Sequence, residues 1–182
     1  GSTQIRLLPE PDILPCQRAI SDTETALARI QVLSALAGNE SIAEPAVTIV
    51  SAPALMRKVA SYKDFASAWH EIKLGMKIEP LHLLSQWQAI GYRMESLVEL
   101  PGQVSHRGGI LDIYPATGEL PARLEFFGNS IDSIHLFDPE SQRSLEAVSA
   151  IDIGPTTELL ALLGANRSEL ESLLSNVDLT NL

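Results

Sequence analysis

A chain of 182 residues, 45% of them hydrophobic, holds enough material for one ordinary domain or for one domain joined to pieces of another. Its 23 acidic residues outnumber its 13 Lys and Arg, and the formal net charge of −10 repels a phosphate backbone; direct nucleic-acid binding is not expected, and any anion-facing function must come from a local basic patch. A single cysteine, Cys16, excludes a disulfide framework and a thiolate metal cluster, His70, His82, His106 and His135 show no metal-ligand spacing, and no window is long and apolar enough to span a membrane.

Residues 3–15 carry Pro9, Pro11 and Pro15 and read as extended or irregular. Ser21-Asp22-Thr23-Glu24 then forms a capping box, with Ser21 as the cap. Ala26, Ile30, Leu33 and Ala37 follow at helical spacing, and Gly38 supplies the stop, which predicts a helix over about 22–37. The apolar run Ala46–Val50 predicts a strand buried on both sides, as in a parallel sheet. Pro53 suits the first turn of a short helix through Arg57, whereas 66–74 fits a strand or a helix equally well. Pro80 opens a second helix with Leu83, Trp87 and Ile90 on one face and Gly91 at its end.

From Tyr92 the text turns β-rich, with strands expected near 102–107, 109–114, 120–127, 130–137 and 146–153. Gly128-Asn129 predicts a tight hairpin and Asp138-Pro139 a further turn. Thr157–Leu160 predicts a short helix, and Asn166 caps another whose apolar face is Leu170, Leu173 and Leu174.

The run Ala122–Phe127 carries the sharpest chemical signal. Alternation in a strand sends Ala122, Leu124 and Phe126 to one face and Arg123, Glu125 and Phe127 to the other. A bulky aromatic sharing a polar face with arginine is the composition of a protein-binding hot spot. Other signals fail. Gly75-Met76-Lys77 is not a phosphate loop, since no GxxxxGK[ST] run exists in the chain. Acidic pairs such as Asp138/Glu140 and Glu125/Asp132 read as solvated surface, and Asp112 within the apolar ILDIY reads as structural, paired to backbone or to an arginine across the sheet. Trp69 and Trp87 read as packing residues, because no basic groove accompanies them.

Several blocks together resemble bacterial transcription-repair coupling factors. Arg107-Gly108-Gly109-Ile110-Leu111-Asp112-Ile113-Tyr114-Pro115 resembles that family's RGxxxDhFP block, Arg123–Gly128 its RhEFF block, and Phe137-Asp138-Pro139-Glu140-Ser141-Gln142-Arg143-Ser144 its FDPxTQRS block. Gly91-Tyr92-Arg93 and Gly75 look like further family elements. The excision-repair protein UvrB shares the module and is the nearest competitor; the Gln142-Arg143-Ser144 ending favours the coupling factors.

The resemblance implies an α+β fold, an antiparallel sheet with helices on one side, joined to a fragment of an α/β domain. Residues from roughly 1 to 60 would be the C-terminal part of domain 1a, 61–154 domain 2, and 155–182 the start of domain 1b. It further implies a cytoplasmic, non-catalytic fragment, with no cofactor or metal, that recruits the ATPase UvrA. RNA polymerase and DNA would be partners of the full-length protein, an ATP-dependent translocase whose motor lies elsewhere. The family's UvrA-facing residues carry over to Arg107, Arg123 and Phe127, with Glu125 as a supporting residue that orients Arg123. Arg107→Glu or Arg123→Glu is then expected to abolish UvrA binding without unfolding the module. A helicase domain with its own active site and a DNA-binding module are the alternatives, opposed by the missing phosphate loop and by the net charge.

Overall fold

A computed structural model describes residues 4–10, 23–36, 46–56, 59, 65 and 68–158. Strand β1 (Gln4–Leu8) pairs in parallel with β2 (Ala46–Val50), and α1 (Thr23–Leu36) packs against β1. The short α2 (Ala52–Leu55) is capped by Ser51, whose hydroxyl accepts a hydrogen bond from the Ala54 amide at 3.2 Å, with proline in its first turn. Strand β3 (His70–Lys73) resolves the ambiguous stretch before α3 (Pro80–Ala89).

The remaining strands are β4 (Arg93–Met94), β5 (Gln103–Arg107), β6 (Ile110–Ile113), β7 (Ala122–Phe127), β8 (Ser130–Phe137), β9 (Ser144–Ala147) and β10 (Ala150–Ile153). Strands β4 to β9 form one six-stranded sheet in chain order, antiparallel except for the β4–β5 pair, and β10 pairs antiparallel with β3. The architecture is therefore mixed: an antiparallel sheet with a helix on it, beside an α/β piece. One face of the large sheet supplies Val104, Leu111, Ile113, Ala122, Leu124, Ile131 and Ile134 to the core, where they meet Leu83, Leu84 and Trp87 of α3. A second apolar cluster joins Ile30 of α1 to Phe65 and Ala116, flanked by Trp69.

The segment read as extended or irregular is extended at its start: β1 forms ahead of the first proline, Pro9, which leaves five residues free to pair. Three expectations need correction. Strand β2 is parallel, as expected, yet not buried on both sides: Val47 and Ile49, with Ile5 and Leu7 beside them in register, are half or more exposed. The stretch expected as one strand over 146–153 is two strands that belong to different sheets. Finally, α1 buries Arg29, Val32, Ser34 and Ala35 along with Ile30, so its inner face is wider and more polar than the apolar spacing suggests. The helix cap at Ser21, the stop at Gly38, Arg57, the helix expected over Thr157–Leu160 beyond Glu158, and the helix capped by Asn166 lie outside the described residues.

Three segments meet at Tyr92. Its buried hydroxyl donates to the Gly154 carbonyl at 3.0 Å and accepts from the Ala116 amide at 3.1 Å. Close by, the Thr156 amide bonds the Ile90 carbonyl, and Arg29 pairs with Glu158 while donating to the Pro9 carbonyl. Gly154 is glycine for a steric reason: a Cβ there would lie 2.5 Å from the Trp69 ring. Burial pushes the Tyr92 phenol well above its ordinary value. Once the pH passes the unfolded phenol's pKa of about 10, the unfolded chain loses a proton that the folded one keeps, so this stabilisation is complete below that pH and falls as pH rises. Tyr92→Phe strands two buried backbone groups and is expected to cost about 1–3 kcal/mol at neutral pH. It should also flatten the alkaline limb of the stability profile; urea unfolding on either side of pH 10 measures both.

Candidate partner-binding face

The outer face of the large sheet is set by strand alternation and register. Across β5 to β9, Ser105, Asp112, Arg123, His135 and Ala147 stand in one row. Arg107, Ile110, Glu125 and Ser133 form the next, and Phe127 pairs with Ser130 at the hairpin end. Residues directly opposite on antiparallel strands share a face. Arg107, Arg123, Glu125 and Phe127 therefore all project from the same side.

A bulge interrupts this hairpin without disturbing that placement. Glu125 pairs with Ser133 and Phe126 with Ile131, so Asp132 is the extra residue and sits on β8. Strand β7 keeps its alternation, and Phe127 stays outside at 83% exposure. The hairpin tip is braced from below. The Ile78 amide bonds the Asn129 carbonyl at 2.8 Å, and the segment through Gly75 and Met76 exchanges two bonds with Ile131. Gly128 turns the chain at φ 61°, a conformation that glycine adopts without cost. The ring is thus an exposed apolar group held on rigid structure.

Asp112 is the centre of the charged part. Its carboxylate is 1% exposed and accepts from Arg123 Nε at 2.8 Å and Nη2 at 2.9 Å, and from Arg107 Nη2 at 2.9 Å. The Arg123 contact is bidentate, the geometry in which a guanidinium binds a carboxylate best. Its hydrogen bonds to the Asp112 carboxylate raise the Arg123 guanidinium above its ordinary value, against the opposing effect of burial. The two arginines differ in access: the Arg107 side chain is 50% exposed and that of Arg123 only 16%.

Phe137 and the following turn complete the arrangement. The Arg123 guanidinium carbon lies 4.7 Å from the centroid of the buried Phe137 ring, within cation–π range, and Nη1 points to the Gln142 carbonyl at 3.4 Å. Gln142 takes a left-handed φ of 59°, and its amide nitrogen donates to the carbonyls of Pro139 at 2.8 Å and Val98 at 3.1 Å. Asp138 receives the Ser141 amide and hydroxyl, which hold its carboxyl below the ordinary range. The turn is wound on Asp138 and stitched to the β4–β5 connection through Val98.

Arg123 and Phe127 lie on one face, as their spacing implies, and strand register adds Arg107 to it. Glu125 is on that face too, but its carboxylate accepts from the Ser133 hydroxyl at 3.0 Å. The residue that orients Arg123 is Asp112; Glu125 adds only a weaker electrostatic pull. Asp112 pairs with arginine across the sheet as expected, though with two of them. Phe137 and Gln142 stand out in the sequence only as parts of the FDPxTQRS-like block and not as parts of this face: Phe137 reads as an ordinary strand-end residue, and nothing in Asp138–Gln142 marks a left-handed glutamine. Trp87 is core, and Trp69 packs against the second apolar cluster. Among the described residues no group of three or more His, Cys, Asp or Glu is placed to hold a metal ion, and no helix is long and apolar enough to cross a membrane.

Residues 71–159 match the family model of the UvrB interaction domain. Over 156 residues, 86% of this chain, it is 33% identical to the transcription-repair-coupling factor of Bacillus subtilis, and over 153 residues, 84%, it is 33% identical to that of Myxococcus xanthus. With the Escherichia coli transcription-repair-coupling factor it shares 38% identity over 112 residues, 62% of the chain. The chain spans 10% to 13% of the length of these relatives. Residues 71–159 contain the whole outer face described above, from Ser105 to Ala147, so the candidate surface lies within the matched domain. The chain belongs to the transcription-repair-coupling factors and carries their UvrB interaction domain, a module for protein–protein contact.

Proposed function

We propose that this chain docks UvrA, the damage-recognition ATPase of nucleotide excision repair, through the face that bears Arg107, Arg123 and Phe127. In the whole protein, a cytoplasmic ATP-dependent translocase, the contact recruits repair to stalled transcription complexes, while RNA polymerase and DNA are held by other parts. Residues from roughly 1 to 60 then form the end of domain 1a, 61–154 form domain 2, and 155–182 begin domain 1b.

The observation that carries this reading is an 83% exposed phenylalanine on the same rigid face as two guanidinium groups. Burying such a ring against a partner contributes about 1.5–3 kcal/mol. It also excludes water from the flanking ion pairs, which strengthens them. Arg107 offers a half-exposed fork suited to a carboxylate on the partner. Titration of purified UvrA against the chain and its Arg107→Ala variant tests the assignment. The variant is expected to bind roughly tenfold more weakly with an unchanged circular dichroism spectrum, since Asp112 retains Arg123. Equal affinity for both proteins removes Arg107 from the interface.

A further inference from the structure

The geometry points to Asp112 as a positioning residue for the docking face: a buried carboxylate that fixes two guanidinium groups in one arrangement and leaves the cluster a single net positive charge. The inference rests on the UvrA reading and extends it to a residue that no partner can touch, at 1% exposure.

A guanidinium has five N–H donors. Arg123 directs Nε and Nη2 at Asp112 and Nη1 at the Gln142 carbonyl, and it lies over Phe137. Arg107 gives Asp112 only one Nη2 bond and keeps the rest of its fork at a half-exposed surface. The division of labour follows. Arg123 neutralises the buried carboxylate and is itself immobilised; Arg107 is tethered at one corner and presents its remaining donors outward. Gln142 serves the same end, since its left-handed backbone aims a carbonyl at Arg123 while its side chain ties the turn to Val98. Long side chains ordered before association lose less conformational freedom when the partner arrives.

Preorganisation and plain Coulomb attraction predict opposite signs for one substitution. Asp112→Asn removes a negative charge, so a surface that attracts an anionic partner by charge alone would bind better. A surface that depends on fixed geometry would bind worse, because both arginines lose their anchor. The experiment titrates purified UvrA against the wild-type chain, Asp112→Asn, Gln142→Gly and Phe127→Ala, and records arginine Nε–Hε NMR signals of each unbound chain. In the wild type, the Arg123 signal is expected to be sharp and slow to exchange with solvent. Asp112→Asn is expected to broaden it and to weaken UvrA binding about tenfold. A folded Asp112→Asn variant with equal or tighter affinity overturns the proposal.

Should that variant fail to fold, Gln142→Gly decides. Glycine keeps the left-handed turn while deleting the ties to Val98 and Pro139. Faster Arg123 exchange together with weaker binding supports positioning, and unchanged exchange and affinity overturn it. No binding of UvrA by the wild-type chain would sink the UvrA reading by itself, and the arginine spectra would then judge the role of Asp112 alone.

Discussion

Phe127→Ala is expected to weaken UvrA binding about 30-fold or more, a loss of at least roughly 2 kcal/mol, while leaving the stability of the chain unchanged. The two halves of this expectation share one cause. A ring at 83% exposure contributes almost nothing to the folded state in isolation, so its removal falls in the range of about ±0.5 kcal/mol typical of surface changes. Its apolar area is available to a partner instead. The braced hairpin fixes where the ring points, so little ordering cost attends binding. Calorimetric titration against UvrA and a thermal melt check both halves. A variant that binds within about threefold of the wild type would place the energetic centre elsewhere.

Arg123→Glu is expected to damage the fold and not the surface alone. The arginine is not a free surface cation: it caps a carboxylate with 1% exposure and lies on a buried ring. Reversing its charge sets a second carboxylate against Asp112, with only the single Arg107 bond left to offset it. Loss of a buried partner costs about 3–5 kcal/mol, which for a chain of this size lowers Tm by roughly 6–20 °C. The expectation drawn from family resemblance, that this variant stays folded and merely loses its partner, therefore gives way. Chemical denaturation of Arg123→Glu beside Arg107→Ala measures the contrast, with a large shift in the first and a small one in the second. Equal midpoints would mean that Asp112 is satisfied in some other way.

The legible part of this structure was the part written in period two. Arg123, Glu125 and Phe127 could be placed on one face because a strand allows no other choice, and the bulge left that placement intact because its extra residue sits on the neighbouring strand. Asp112 announced itself as a charge inside an apolar run. What stayed hidden depended on contacts distant in the chain. Nothing around Arg29 distinguishes it from a surface arginine; its burial comes from Pro9 and from Glu158, 129 residues away. The break between β9 and β10 has no glycine or proline to mark it: Val148 and Ser149 turn the chain, and the Ser149 carbonyl is taken by Leu74. Gln142 takes a conformation that local sequence disfavours, held by a carbonyl on a loop more than forty residues upstream.

The bare side of the β1–β2 pair has a practical consequence. Ile5, Leu7, Val47 and Ile49 offer water a row of aliphatic groups with no charge among them. Such a row sticks more firmly when warmed and in the presence of excluded salts such as sulfate. Preparations of this chain will keep best cold, dilute and in chloride buffers, with a mild non-ionic detergent as the natural remedy for losses to plastic and to column resin.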